Sequence, residues 1–330
     1  MNKIKRSGKL LQAAFAVLFR EKKLLLFPLI ASALVLAVAL FFIMPVVLYP
    51  TGHSIFTAEH WNALGQKAGH WFNLEPPRRP PVHTASDALA SVTGGNTRLL
   101  AGHPWTAAAF ALMYFASMFL GTFSNVAFYH EIMQALNGNA VSIRRGFRFA
   151  SARWRSILMW SLFAGLVGYL IQAIQERVGF LGRIITGFIG MAWSAACIFV
   201  IPALVRDAET TDPLKLLRNS AGTLKRTWGE LVIGFVGLEL VFGAVIMTLL
   251  LVGVITIGVG SFYVCWHFNL SVWWAAGALI CMAVALVVPL GLIGSVVNPV
   301  YRCALYIYAT EGVVPGTFDR ELLDSAWKVK

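Results

Sequence analysis

Long apolar runs separated by short polar stretches dominate the hydrophobic pattern of this chain. Six of these runs are long enough, at 1.5 Å per residue, to cross a hydrocarbon core of about 30 Å. They predict transmembrane helices over 24–48, 105–129, 156–175, 184–205, 231–258 and 272–301. The pattern therefore predicts an all-α fold, a polytopic membrane helix bundle that forms one domain from residue 1 to 330.

Three segments repeat one plan, in which a basic amphipathic stretch precedes an outbound span and a return span. The basic stretches lie within 1–23, over 147–155 and over 214–228. Amphipathic helices rich in Lys and Arg lie in the plane of the membrane interface. The repeat predicts three hairpins, each preceded by an amphipathic helix on the inner leaflet.

The orientation of the bundle follows from the distribution of lysine and arginine. In the six-span arrangement, 21 of the 27 basic residues fall on the side that carries both chain ends. Basic residues near spans accumulate on the cytoplasmic side. We therefore expect the segments 1–23 and 302–330 to be cytoplasmic, and the long loop 49–104 to be extracytoplasmic. Within that loop, the spacing of Trp61, Leu64, Ala68 and Trp71 predicts a short amphipathic helix.

Composition agrees with a membrane protein, since 58 % of the residues are hydrophobic and 13 % are charged. The charged share is about half of that in an average soluble domain. The net charge of +12 is concentrated beside the spans and lacks a basic-aromatic nucleic-acid motif, so we expect no nucleic-acid partner. We expect instead that one basic cluster contacts anionic lipid of the inner leaflet. This cluster comprises Arg144, Arg145, Arg148, Arg153 and Arg155.

Glu239 lies well inside the fifth predicted span. A charged carboxyl at such a depth costs at least about 2.5 kcal/mol, so the side chain is expected to face the interior of the bundle. It could bind a proton, a cation or a lipid head group, or it could be a protonated carboxyl hydrogen-bonded to a neighbouring helix. The candidate intramembrane partners are Asn125, Gln172 and Asn298, together with Thr122 and Ser124.

Catalytic and metal-binding motifs are absent from the sequence, which contains no P-loop, nucleophile elbow, HExxH or dinucleotide fingerprint. Five histidines between His53 and His103 fit no metal-ligand spacing and are expected to be solvated. His130 and Glu131, at the inner end of the second span, are predicted to form an interfacial pair. We expect no enzyme activity, no cofactor and no metal.

Five segments of the chain form a distinctive set, namely Lys23–Pro28, Val200–Val205, Leu216–Ser220, Arg226–Glu230 and Ala304–Gly312. With these segments the chain resembles a family of bacterial and archaeal six-span membrane proteins of unknown function. The chain is also distantly similar to the membrane domains fused to some glycerophosphodiester phosphodiesterases, although it contains no counterpart of their catalytic domain. The resemblance implies a multi-pass protein of the bacterial plasma (inner) membrane. It implies no activity.

Together these patterns favour a non-catalytic integral membrane protein that acts as a scaffold or as a lipid-associated envelope factor. The alternative is a small transporter or channel built around the intramembrane carboxylate of Glu239. The threefold repeat and the glycines and prolines of the last two spans are typical of transporters.

Overall fold

The computed structural model describes residues 3–48, 50–71, 104–207, 211–225 and 272–313, with a few helical residues between 247 and 260. The described residues form helices joined by turns, without a strand. We number the helices α1 (Lys3–Arg20), α2 (Leu26–Val47), α3 (Ala58–Trp71), α4 (Pro104–Leu136), α5 (Ile143–Ala152), α6 (Trp154–Arg177), α7 (Phe180–Ala196), α8 (Val200–Arg206), α9 (213–225) and α10 (Val272–Glu311).

Five helical stretches of the described residues are long and apolar enough to cross a membrane, as expected of a membrane protein. They are Lys22–Pro45, Ala108–Leu136, Trp154–Arg177, Gly182–Arg206 and Val287–Glu311. These stretches correspond to five of the six predicted spans. The remaining prediction, 231–258, falls almost entirely outside the described residues.

Two helices continue beyond the ends that the hydropathy pattern predicts. The second span was predicted to end at 129, but α4 continues to Leu136, where Gly138 adopts a positive φ of 85° in the turn that follows. The last span was predicted to end at 301, but α10 continues to Glu311 and is followed by Gly312 with a φ of 66°. Glycine tolerates this left-handed backbone, so it stops each helix where hydropathy gives no signal.

The packed core lies at one end of the bundle, which we call the basic end because α1 and α5 belong to it. Its buried residues include Ala14 and Val17 of α1 and apolar residues within the segments 126–136 of α4, 199–205 and 296–307. Towards the opposite end, large apolar side chains such as Leu36, Phe41, Leu112 and Phe188 are exposed. Apolar side chains exposed along a membrane-spanning helix contact lipid at no cost, so these parts of the helices need no protein neighbour.

The connection between α1 and α2 is hydrogen-bonded to the end of α4 and to the turn that follows it. Arg20 donates a hydrogen bond to the carbonyl oxygen of Ala135, and the backbone N–H of Val141 donates one to Glu21 at 3.2 Å. These contacts join residues more than 100 positions apart in the chain. They hold α1 against the end of α4.

The fourth predicted span, 184–205, is interrupted. A turn at Cys197–Phe199 separates α7 from α8, and Ser220 of α9 reaches into it. The Ser220 hydroxyl donates to the carbonyl oxygen of Ala196 at 2.5 Å and accepts from the backbone N–H of Phe199 at 3.1 Å. A buried break in a helix exposes backbone groups that need partners, and Ser220 supplies one for each side.

The described part of the long loop contains α3, which covers the positions predicted to be helical. Leu64 is buried, whereas Trp61 is half exposed. His60 is also buried, and its ring nitrogens lie 2.6 Å from the Thr51 hydroxyl and 2.9 Å from the carbonyl oxygen of Val47. The prediction that the loop histidines are solvated is therefore wrong for His60, which fastens α3 to the end of α2.

Candidate functional site

A buried carboxylate anchors α5 to α4. Glu131 is fully buried near the end of α4. The Arg145 guanidinium donates two hydrogen bonds to it, from Nε to Oε1 at 2.8 Å and from Nη2 to Oε2 at 2.6 Å. The backbone N–H of Ser142 donates a third, at 2.7 Å. Because this bidentate geometry occupies both oxygens of the carboxylate, Glu131 fixes the position and the orientation of α5.

Arg145 therefore points inward. It also donates a hydrogen bond to the carbonyl oxygen of Ala140 at 2.7 Å. The hydrogen bonds to Glu131 raise the pKa of the Arg145 guanidinium above its ordinary value, so this side chain stays positively charged. This arginine is structural in the described protein.

An aromatic stack continues from this ion pair towards α8. His130 Nδ1 lies 3.1 Å from Glu131 Oε1, as expected for a pair, and its ring stacks on Phe149 with the centroids 3.9 Å apart. The Arg153 guanidinium lies 4.3 Å from the centroid of the same Phe149 ring. Arg153 then donates hydrogen bonds of 2.7 Å to the carbonyl oxygens of Leu204 and Val205. These are orphan carbonyls at the C-terminal end of α8, where a cation also complements the helix dipole.

The structure thus divides the five arginines that were predicted to contact lipid. Arg145 and Arg153 make internal contacts, whereas Arg144, Arg148 and Arg155 are exposed. Arg144 and Arg148 lie one turn apart on α5, away from the buried Gly146 and Ala150. Arg155 lies over the ring of Trp154 at the start of α6. We call Arg144, Arg148 and Arg155 the basic surface.

A cavity of about 380 Å³ opens between α2, α4 and α10 near the basic end. Its volume lies within the range of small-molecule sites. Exposed residues from three helices line its rim, namely Ser32, Asn125 and Ser295. Its deeper wall includes the buried Tyr129 and Ser124.

Arg302 is the charged residue among those that line this cavity. It lies within the candidate span Val287–Glu311, and it hydrogen-bonds to the Tyr129 hydroxyl. An ionisable side chain within a span is costly unless it is paired or serves a function. Since no lining residue is acidic, the cavity presents positive charge and hydroxyl and amide groups together.

Ser124 stands out among the hydroxyl side chains of the described spans. The hydroxyls of Thr122, Ser161 and Thr186 each donate to the carbonyl oxygen four residues earlier, at 2.7–2.9 Å. The residue Ser124 is 1 % exposed, yet its Oγ makes no hydrogen bond although it lines the cavity. A buried hydroxyl without a partner costs about 1–3 kcal/mol.

The intramembrane residues predicted from the sequence do not form one described site. Glu239 lies outside the described residues. Asn125 is at the rim of the cavity, and Asn298 is on α10 with a buried, unbonded Oδ1 but does not line the cavity. Gln172 is exposed near the far end of α6, where its amide donates to Glu176 at 3.3 Å.

Sequence reasoning missed Arg302 and Tyr129 as site residues. The predicted span ends at Tyr301, so the prediction places Arg302 as the first cytoplasmic residue. The sequence does contain a signal, since Cys303–Ala309 continues the apolar run without a charge. If this run continues the helix, Arg302 lies inside the last span.

Comparison with known proteins gives a family and no activity. No curated protein and no solved structure matches this chain. Nothing in the comparisons therefore bears on the similarity to phosphodiesterase-linked membrane domains. One family model matches residues 106–316, which is more than half of the chain and includes α4 through α10. The chain belongs to this family, which is described as a family of unknown function (DUF6159).

Proposed function

We propose that this protein is a non-catalytic, multi-pass protein of the bacterial plasma membrane that associates with anionic lipid at the inner leaflet. The supporting observation is the exposure of Arg144 and Arg148 on the face of α5 opposite its packed face. The Glu131–Arg145 ion pair holds that face in one orientation. In this arrangement the basic surface lies beside the lipid head groups, and both chain ends are cytoplasmic.

Each basic side chain near an anionic surface contributes about 1 kcal/mol to lipid association. The test is native mass spectrometry of the full chain exchanged into equal mixtures of phosphatidylglycerol and phosphatidylcholine. We expect the double variant Arg144→Gln/Arg148→Gln to reduce the preference for phosphatidylglycerol about tenfold or more.

The matched control is Arg177→Gln/Arg183→Gln, which removes two exposed arginines at the opposite end of the bundle. We expect it to leave the lipid preference close to that of the wild type. Equal preferences in all three proteins would overturn the proposal.

A further inference from the structure

We propose that the cavity between α2, α4 and α10 is a binding site for one phosphate-ester anion, with Arg302 as its charged ligand. This inference deepens the proposed function and rests on it, because it assigns one discrete lipid-phosphate site in addition to a diffuse basic surface. The two sets of residues do not overlap. Each can therefore be removed while the other remains intact.

The first step of the argument is charge. Arg302 brings a guanidinium to a cavity whose other lining residues are uncharged. Guanidinium groups bind phosphate oxygens through directed, charge-assisted hydrogen bonds. The acidic side chains on the neighbouring elements have other partners, because Glu131 binds Arg145 and Glu311 binds Arg206 at 2.5 Å. A bound anion would therefore meet no nearby unpaired carboxylate among the described residues.

The second step is the arrangement of hydrogen-bond donors. Ser124 belongs to the wall of the cavity, where its hydroxyl is buried and makes no hydrogen bond. Ser32 and Asn125 add a hydroxyl and an amide from two helices around the opening, whereas the Ser295 hydroxyl already donates to the carbonyl oxygen of Leu292 at 2.7 Å. A tetrahedral oxyanion accepts hydrogen bonds from several directions, which matches donors distributed in this way.

The third step is the surface beside the opening. Leu29 and Leu36 are exposed on α2, one turn to either side of Ser32, and so share its face. This places apolar surface directly next to the polar rim. A phospholipid could leave its phosphate in the cavity and its acyl chains along α2, whereas a free phosphate would use the cavity alone.

The experiment uses purified full-length protein and three probes: phosphatidylglycerol, diacylglycerol of the same chain length, and inorganic phosphate. We expect a one-to-one adduct with phosphatidylglycerol in native mass spectra, and at least tenfold less of it with Arg302→Gln. Arg302→Lys should recover part of the loss. If inorganic phosphate also binds and displaces phosphatidylglycerol, the ligand is a soluble phosphate; if it does not, the ligand is the lipid.

Ser32→Phe gives a second variant that leaves Arg302 in place. Because Ser32 is exposed, the bulky ring should obstruct the opening without disturbing the core, and the one-to-one adduct should again be lost. Arg144→Gln/Arg148→Gln should retain this adduct even though its general lipid preference falls. The inference is overturned if diacylglycerol binds as well as phosphatidylglycerol, if no phosphate probe binds, or if folded Arg302→Gln and Ser32→Phe both keep the adduct.

Discussion

Glu131 and Arg145 lie on different helices, and Arg145 donates a pair of parallel hydrogen bonds of 2.8 and 2.6 Å to the fully buried Glu131 carboxylate. Their geometry determines which way α5 faces. With Arg145 held inward, Arg144 and Arg148 are left outward. The buried ion pair and the exposed basic surface are therefore two consequences of one helix orientation.

Removing the Glu131 carboxylate should destabilise the protein. Glu131→Ala removes a buried carboxylate that accepts three hydrogen bonds and leaves the partly exposed Arg145 without its partner, and we expect a loss on the order of 2 kcal/mol. Thermal unfolding of purified protein in detergent measures this loss. Glu176→Ala, which removes an exposed glutamate near the far end of α6, should have little effect. Equal melting temperatures for both variants would contradict the structural role of the pair.

A methyl group at Gly146 should push α5 away from α4. A Cβ there would lie 2.9 Å from the Ala127 carbonyl oxygen, 3.0 Å from Glu131 Cγ and 3.2 Å from Phe27. We expect Gly146→Ala to destabilise by about 1–3 kcal/mol, in spite of the better helix propensity of alanine. Gly121→Ala is the control, because no atom lies within 4 Å of its added Cβ. Gly121→Ala should be neutral or slightly stabilising. If thermal unfolding shows Gly121→Ala to be less stable than Gly146→Ala, the close packing of α5 on α4 is refuted.

Arg153 should protect the end of α8 from opening. Arg153→Ala removes the donors to the Leu204 and Val205 carbonyls, and we expect a loss of about 1.5–3 kcal/mol. Hydrogen–deuterium exchange over 200–206 should accelerate in this variant. In Arg155→Ala, which removes an exposed neighbour, exchange over the same segment should stay at the wild-type rate. Unchanged exchange in Arg153→Ala would show that the hydrogen bonds from Arg153 do not stabilise the end of α8.

The orientation of the bundle is tested with single cysteines in a background without the four native ones. Gln66 on α3 and Ser151 on α5 are both exposed. If the basic end is cytoplasmic, a membrane-impermeant maleimide should label Gln66→Cys in intact cells, and Ser151→Cys only after permeabilisation. Labelling of Ser151→Cys in intact cells would reverse the proposed topology.

The helices could be predicted from the sequence because lipid imposes long apolar runs, but their ends could not. Hydropathy reports where a helix meets lipid, whereas α4 and α10 continue as helices packed against protein, until Gly138 and Gly312 follow them. The break before α8 was also missed, because its backbone groups are satisfied by Ser220, which lies more than 20 residues further along the chain.

The candidate site was predictable only in part, for a related reason. A cluster of arginines on α5 is visible in the sequence, but the inward or outward direction of each one depends on partners from other helices. Glu131 holds Arg145 inward by accepting its hydrogen bonds, and the carbonyl oxygens at the C-terminal end of α8 do the same for Arg153. Residues from four helices line the cavity, so no local sequence pattern predicts it.

The one-ended core has a consequence for how the chain is made. Val296 and Val300 of α10 are buried in the same core as Ala14 and Val17 of α1. Because synthesis proceeds from the N-terminus, the ribosome has made α1 to α9 before α10 is available. The earlier helices can already pack on one another, as α5 does on α4 through Arg145 and Glu131, but the part of the core that α10 covers has no protein neighbour until α10 is inserted. Assembly of the core is then a late step of biogenesis, and a nascent chain that ends before residue 296 has inserted spans but an unfinished core.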